Sequence, residues 1–293
     1  MPTQPEWNLL MKDEKFVQSY KAGEKVSAEF VQIMLDQIGL TTHANDSPEE
    51  PLVVLDLACG TGIVSSLLYA QLSEDARNSK ALKVVCGDIS EGMLAYTEKR
   101  RLDEGWRNAV VKTVDVQKNG LPDAHFTHVF AALVLFALPD SLAALDETLR
   151  IIQPGGTLGF TTWADLTWIP LVRAALDNLS PHLPFPTAQE FLSSLGNGDW
   201  ASVSWIESQL HERRLTDIHV QAHKKTVSFS VQAFVDVTML IVANLIRRDW
   251  TERQIEEYAD KVGPALTEYL EDKAGEAGEV VVEFKAIVAT ARK

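Results

Sequence analysis

The apolar run Val53-Val54-Leu55-Asp56-Leu57 passes directly into Ala58-Cys59-Gly60-Thr61-Gly62. A buried strand that enters a turn of small residues, and then a helix from about Ile63, leaves few architectures open. In open α/β sheets this junction lies at the carboxyl edge of the strands, where ligands bind. Gly60 and Gly62 lack Cβ atoms, so the chain can turn sharply and a ligand can approach the backbone. A strand–turn–helix that merely needs small residues reads the same in isolation, so the assignment depends on what accompanies the loop.

The rest of the chain continues the alternation. Strands are predicted at residues 52–57, 82–87, 109–114, 127–133 and 157–162, with helices at 64–72, 91–101 and 139–152. Continuous apolar strands interleaved with helices indicate a parallel sheet covered on both faces, the doubly wound α/β class. Two further strand-like runs, 217–228 and 280–291, flank a helical block at 231–273. They are read as strands of the same sheet, with a separate second domain as the alternative. Upstream, residues 16–40 place Phe16, Tyr20, Val26, Phe30, Met34, Ile38 and Leu40 at helical spacing, which predicts one or two amphipathic helices. Residues 41–51, carrying Asn45, Asp46, Ser47 and Pro48, read as a linker. The expected organisation is an N-terminal helical cap segment at 1–45, then one domain at 46–293 with cap insertions at about 164–212 and 231–275.

Composition narrows the partners. With 27 Lys+Arg against 41 Asp+Glu the formal charge is −14, which argues against nucleic acid as the main partner. The longest apolar stretch, residues 129–139, falls short of the ~20 residues a bilayer crossing needs. Residues 1–6 lack the basic and apolar regions of a secretion signal. Two cysteines, Cys59 and Cys86, make no disulfide scaffold, so a cytoplasmic location is expected.

Asp88 ends the second predicted strand, 26 residues after Gly62 (88 − 62). An acid there suits a ribose diol, whose two hydroxyls a carboxylate can accept. The same position also suits a helix N-cap. The loop by itself leaves an NAD(P)-dependent oxidoreductase open, but Ser65 occupies the place of the third fingerprint glycine. The one Tyr-x-x-x-Lys match, Tyr269 with Lys273, lies in an acidic segment near the C-terminus and reads as a solvated face.

Taken together, these residues resemble a family. Leu55-Asp56-Leu57-Ala58-Cys59-Gly60-Thr61-Gly62 resembles motif I of the class I S-adenosylmethionine-dependent methyltransferases. Asp88-Ile89-Ser90-Glu91-Gly92-Met93 resembles their acidic strand end with D-x-S-x-x-M, and Asp115-Val116-Gln117 the loop bordering the adenine. Phe126-Thr127-His128-Val129-Phe130 with Leu138-Pro139-Asp140 is similar to the fourth-strand motif. Leu149-Arg150-Ile151-Ile152-Gln153-Pro154-Gly155-Gly156 is similar to the turn ahead of strand five. Residues 156–163, ending in Trp163, and residues 16–30 resemble the methyltransferases of fungal secondary metabolism, which include thiol-methylating enzymes of epidithiodiketopiperazine pathways.

The resemblance implies a Rossmann-like seven-stranded sheet with a helical cap, S-adenosylmethionine as cofactor and S-adenosylhomocysteine as product. It implies that Asp56 organises the glycine loop or reaches the cofactor's amino group through water. Ala58, Cys59, Gly60 and Gly62 would pass their backbone along the methionine and ribose portions. Asp88 would hold the ribose diol, Ile89 and Met93 would sandwich the adenine, and Asp115 and the Val116 amide would bond its edge. Backbone near Ala132 and Leu133 would face the sulfonium, and Tyr20 would close over the cofactor or serve as core packing. The sulfonium suits an acid-lined pocket, and motif I offers no basic residue for a pyrophosphate.

Residues 132–139 contain no Asn/Asp-Pro-Pro-Tyr/Phe motif, which argues against methylation of amide or nucleobase amino groups. A pocket of Leu133, Val134, Leu135 and Phe136, joined by Trp163, Trp168 and Trp205, suits a small, largely apolar acceptor. The seven histidines show no metal-ligand spacing with a carboxylate, so no metal is expected. Tyr20, His182 and His211 are the candidates for a base, and the expected assembly is a monomer or homodimer.

Overall fold

The computed structural model describes residues 14–274 and 278–293, with side chains from Tyr20 onward. Residues 1–13 of the expected N-terminal cap, the side chain of Phe16 and residue 275 at the end of the second expected insertion lie outside the described residues.

Along the chain the elements are α1 (Glu14–Ile38), α2 (Leu40–Asp46), β1 (Leu52–Leu57), α3 (Ile63–Gln71), α4 (Glu74–Asn78), β2 (Leu82–Asp88), α5 (Glu91–Asp103), β3 (Ala109–Thr113) and β4 (Phe126–Ala132). A 3₁₀ turn (Leu135–Ala137) follows, then α6 (Ser141–Ile151), β5 (Ile152–Asp165), α7 (Trp168–Leu179), α8 (Ala188–Ser193) and α9 (Val203–Glu212). The chain ends with β6 (Thr216–Ser230), α10 (Val231–Asp249), α11 (Glu252–Glu271) and β7 (Glu279–Arg292).

The strands form one seven-stranded sheet in the order β3-β2-β1-β4-β5-β7-β6. Both C-terminal runs therefore join the same sheet as the glycine-loop strand. β7 lies antiparallel between β5 and β6, whereas β1 to β5 pair in parallel. β1 neighbours both β2 and β4, so strand order reverses beside it, and the loop after β1 opens at that switch point.

Alternate residues of each strand serve opposite faces. Val54, Val84, Phe130 and Val288 pack under α1, α3, α7, α10 and α11. Leu55, Leu57, Val129 and Phe160 pack under Ala144, Leu145 and Leu149 of α6 and Ile206 and Leu210 of α9. In α1, Val26, Phe30, Val31, Met34 and Leu35 are buried at helical spacing. The helix lies close to β5 at Gly159, where a Cβ would come within 3.1 Å of Met34 and 3.2 Å of Ile38.

Three expectations are corrected. The linker expected at residues 41–51 shrinks to 47–51, because α2 covers 40–46. Gly39, at φ 67, ends α1 and restarts the helix. The polar residues of α2 are spent on tertiary contacts: Thr41 Oγ1 donates to Gln71 Oε1 and Asn45 Nδ2 to the Gln71 carbonyl. Residues 73–80, given no element between the predicted helix at 64–72 and strand at 82–87, contain a short helix, α4, capped by Ser73. β5 is longer than the expected 157–162 at both ends. It starts by pairing Ile152 with Phe126, and after a shift in register it ends by pairing Asp165 with Lys285 of β7.

Candidate functional site

At the carboxyl end of β1 the chain adopts a costly backbone. Ala58 has φ 55, a left-handed conformation that non-glycine residues adopt at a cost of about 1 kcal/mol or more. At the corresponding end of the adjacent β4, Leu133 has φ 53. Its N–H is held by the carbonyl and hydroxyl oxygens of Thr161 at 3.0 and 3.1 Å. Two such residues on neighbouring strand ends, on either side of the switch point, mark where the fold tolerates strain.

Gly60 and Gly62 supply the other left-handed turns, at φ 54 and 81. A Cβ on Gly62 would lie 3.0 Å from the Trp106 ring and 3.1 Å from Thr97. The loop is tied down by main chain and side chain alike. Cys59 N–H bonds the Gly87 carbonyl at 2.9 Å, Gly62 N–H the Cys59 carbonyl at 2.7 Å, and Thr97 Oγ1 the Gly60 carbonyl at 2.6 Å.

Two acids brace this loop. Asp56, 1% exposed, accepts from the Ser65 N–H at 3.1 Å and the Ser65 hydroxyl at 2.8 Å, both on Oδ2. The residue in the place of the third fingerprint glycine is thus a buried anchor between β1 and α3. Burial pushes the Asp56 carboxyl up to about 6, with the Ser65 bonds opposing and Asp88 adding to the rise. Asp88 Oδ2 accepts from Gly60 N–H at 2.9 Å, and Oδ1 from Ser90 N–H at 2.8 Å. Burial raises its carboxyl too. Asp88 is not the N-cap of α5: Ser90 is, its hydroxyl accepting from Met93 N–H.

The remaining expected positions stand in different environments. Ile89 is 40% exposed, whereas Met93 and Val116 are buried. Asp115, half-buried, accepts from Gln117 N–H at 2.9 Å, which shapes the loop after β3. The Cys59 thiol packs in the core, and burial holds it well above the ordinary thiol range. Tyr20 reaches the loop from α1, its hydroxyl oxygen 3.5 Å from where a Gly60 Cβ would stand. Burial and the nearby Asp88 raise that phenol.

A cavity of about 470 Å³ opens further along the same edge. It is lined by Phe136, by Trp163 and Asp165 at the end of β5, by α8, and by the 196–201 loop. The residues of the expected acceptor wall divide at this cavity. Phe136 and Trp163 line the cavity, but Leu133, Val134, Leu135, Trp168 and Trp205 do not. Leu135 is core, Trp168 packs edge-on against Phe191, and Trp205 packs against Trp200. His182 and His211 are exposed and do not line it. Tyr269 carries the Lys273 ammonium over its ring, 4.9 Å from the centroid, as an ordinary helix-surface pair. Among the described residues no group of three or more His, Cys, Asp or Glu could hold a metal, and no helix is long and apolar enough to cross a membrane.

The sequence reading missed Asp165, Gln189, Ser193, Asp199 and Trp200 of the cavity. Asp165 had a signal, since it stands three residues beyond the predicted end of a strand whose carboxyl edge was already implicated. The others come from a helix of six residues and a loop with no pattern of their own.

Residues 54–156 match a family model described as a methyltransferase domain. The chain is 34% identical over 281 residues to the methyltransferase tpcH of Aspergillus fumigatus, covering 96% of this chain and 97% of the relative. It is 35% identical over 293 residues to the acetylaranotin bis-thiomethyltransferase of Aspergillus terreus, covering 100% of this chain and 99% of the relative. Among solved structures, that of a methyltransferase-like protein from Bacillus halodurans C-125 aligns with a TM-score of 0.51 at 17% identity. The alignment covers 89% of this chain and 98% of that one, a likeness of fold alone.

Proposed function

This chain belongs to the S-adenosylmethionine-dependent methyltransferases, and on that premise we propose that it methylates an oxygen, sulfur or nitrogen atom of a small, largely apolar acceptor of natural-product type. The observation that carries the cofactor assignment is the Asp88 carboxylate spanning the glycine loop and the start of α5. A carboxylate offers about four acceptor positions, more than the main-chain N–H groups of Gly60, Ile89 and Ser90 use. The ribose hydroxyls are the proposed further donors.

The other roles follow from position. Ala58, Cys59, Gly60 and Gly62 line the path of the methionine and ribose portions with backbone. Exposed Ile89, with Met93 behind it, offers an apolar face to the adenine, and Asp115 and Val116 its polar edge. Ala132 and Leu133, at the strained end of β4, face the reacting centre, and Tyr20 covers the loop from α1. Asp56 acts at one remove, through Ser65, by holding the loop in shape.

When bound, S-adenosylmethionine supplies an electrophilic methyl group. The chain's own task is to align the acceptor's lone pair in line with it and to keep water out. The 470 Å³ cavity, with Phe136, Trp163 and Trp200 in its walls, is the proposed acceptor seat. Its lining from α8 and the 196–201 loop supports a substrate-choosing role for the 164–212 segment, one of the cap insertions in the proposed organisation. The full-length similarity to a bis-thiomethyltransferase supports a thiol as the first acceptor to try. The nicotinamide reading is not favoured by any of these observations.

Titrating the purified protein with S-adenosylhomocysteine, and in parallel with NAD and NADP, tests the reading. Saturable binding of the first alone is expected, and its absence would sink the proposal. Transfer of labelled methyl from S-adenosylmethionine to a dithiol, a phenol and an amine then distinguishes the acceptor atom.

A further inference from the structure

The cavity of about 470 Å³ carries its own charge pattern. Its lining contains two carboxylates, Asp165 and Asp199, and no lysine, arginine or histidine. Asp165 is partly compensated: its Oδ1 accepts from Leu166 N–H at 2.8 Å and its Oδ2 from Lys285 Nζ at 3.1 Å. The Lys285 ammonium is shared, since Glu283 also lies 4.0 Å from it. The Asp199 carboxylate has no hydrogen bond or ion pair among the described residues. Only its main-chain carbonyl is engaged, by Ser202 N–H.

The walls complete the pattern. Phe136, Trp163 and Trp200 supply aromatic surface, and the Trp200 indole N–H is already committed to the Asn197 carbonyl at 2.9 Å. Trp200 therefore offers the cavity a ring and not a donor. Gln189 and Ser193 add neutral polar groups. An anionic guest would meet two carboxylates with no cation of the lining to receive it, while a neutral or cationic ring would meet aromatic faces and an available acceptor.

The cavity's placement connects it to the glycine loop. Asp56 of β1 pairs with Phe130 of β4, and Ala132 of β4 pairs with Thr161 of β5. Trp163 and Asp165 continue β5 past that level, two strand spacings or about 10 Å from the loop across the sheet.

Resting on the methyltransferase reading above, we infer that this cavity selects an aromatic acceptor without negative charge, and that Asp199 receives a hydrogen-bond donor or cationic group of that acceptor. Asp199 is thus a specificity-determining residue and carries no chemical step.

Three probes with one ring and different charge test this: tryptamine, tryptophol and indole-3-propionate, titrated against the full chain saturated with S-adenosylhomocysteine. Tryptophol and tryptamine are expected to bind about tenfold or more tightly than indole-3-propionate, the repulsion between like charges setting the difference. Asp199→Asn is expected to narrow that gap severalfold while leaving thermal stability and S-adenosylhomocysteine affinity unchanged, because Asp199 is an exposed loop residue. Equal or tighter binding of the propionate, a gap unchanged by Asp199→Asn, or no binding of any probe to the loaded protein would each overturn the inference. Failure of S-adenosylhomocysteine itself to bind would instead overturn the underlying cofactor reading.

Discussion

Arg100 Nη1 lies 3.2 Å from both carboxylate oxygens of Glu24, joining α5 to α1 across 76 residues of sequence. The same nitrogen donates to the Thr61 carbonyl at 3.1 Å, Nη2 to Ser66 Oγ at 3.0 Å, and Nε to Glu104 at 2.7 Å. One guanidinium therefore fixes α1, the glycine loop and α3 relative to one another. The two side chains are 14% and 10% exposed, so this is a largely desolvated pair.

Removing one partner of such a pair leaves a buried charge uncompensated, at a cost of about 3 kcal/mol. Arg100→Met is expected to lower urea stability by about that much, with Glu24→Gln costing less. The double variant should be more stable than the sum of the two predicts, because Glu24 is then no longer a buried charge without its partner. Additive losses in the urea midpoints would show that the pair is not coupled.

Asp88→Asn keeps the size of the side chain but replaces one acceptor oxygen with a donor. S-adenosylhomocysteine affinity is expected to fall by about 1–3 kcal/mol, measured by calorimetric titration. Stability should fall as well, since Gly60 and Ser90 N–H groups lose a charged acceptor. Unchanged affinity would remove Asp88 from the cofactor site.

The two loop glycines should respond differently to alanine. Among the described residues, Gly60→Ala meets only Tyr20, at 3.5 Å, so its cost is that of a left-handed φ, about 1 kcal/mol. Gly62→Ala carries the same strain and also crowds Trp106 and Thr97, which must shift, so its loss should be larger by about 1–3 kcal/mol. Trp106 has little room to move, being stacked on Tyr69 at 5.7 Å and bonded through its indole N–H to Glu104. Thermal unfolding of the two variants side by side checks the order.

What was legible in the sequence tracks how local its cause is. β1 and β2 read almost to the residue because β1 is a largely buried apolar run and β2 breaks its own only at exposed Lys83 before the Gly87-Asp88 end. The glycine loop and Asp88 were legible because each sits at a strand end fixed by that pattern. α2 was not, because Thr41 and Asn45 look like linker residues until their bonds to Gln71 are seen. The end of β5 depends on pairing with β7, more than a hundred residues away. The cavity wall is assembled from short segments whose own patterns are silent. Arg100 gave no signal, since a charged residue on a surface helix is the ordinary case.

Asp56 makes the stability of the fold depend on pH. Its carboxyl titrates at about 6 in the folded chain against an ordinary value of 3.8, chiefly because it is buried. Between those values the folded state holds a proton that the unfolded state has released, so this group's contribution to stability falls as pH rises through that window. Above about pH 6 the native chain carries the buried charge at full cost, on the order of 3 kcal/mol for a shift of about two units. Asp56→Asn removes the titration while keeping an oxygen for Ser65. The variant's stability relative to the parent is therefore expected to improve steadily from pH 4 to pH 7. Urea unfolding of both proteins across that range is the measurement. A constant difference between them would show that Asp56 is ionised throughout, held by Ser65 strongly enough to offset its burial.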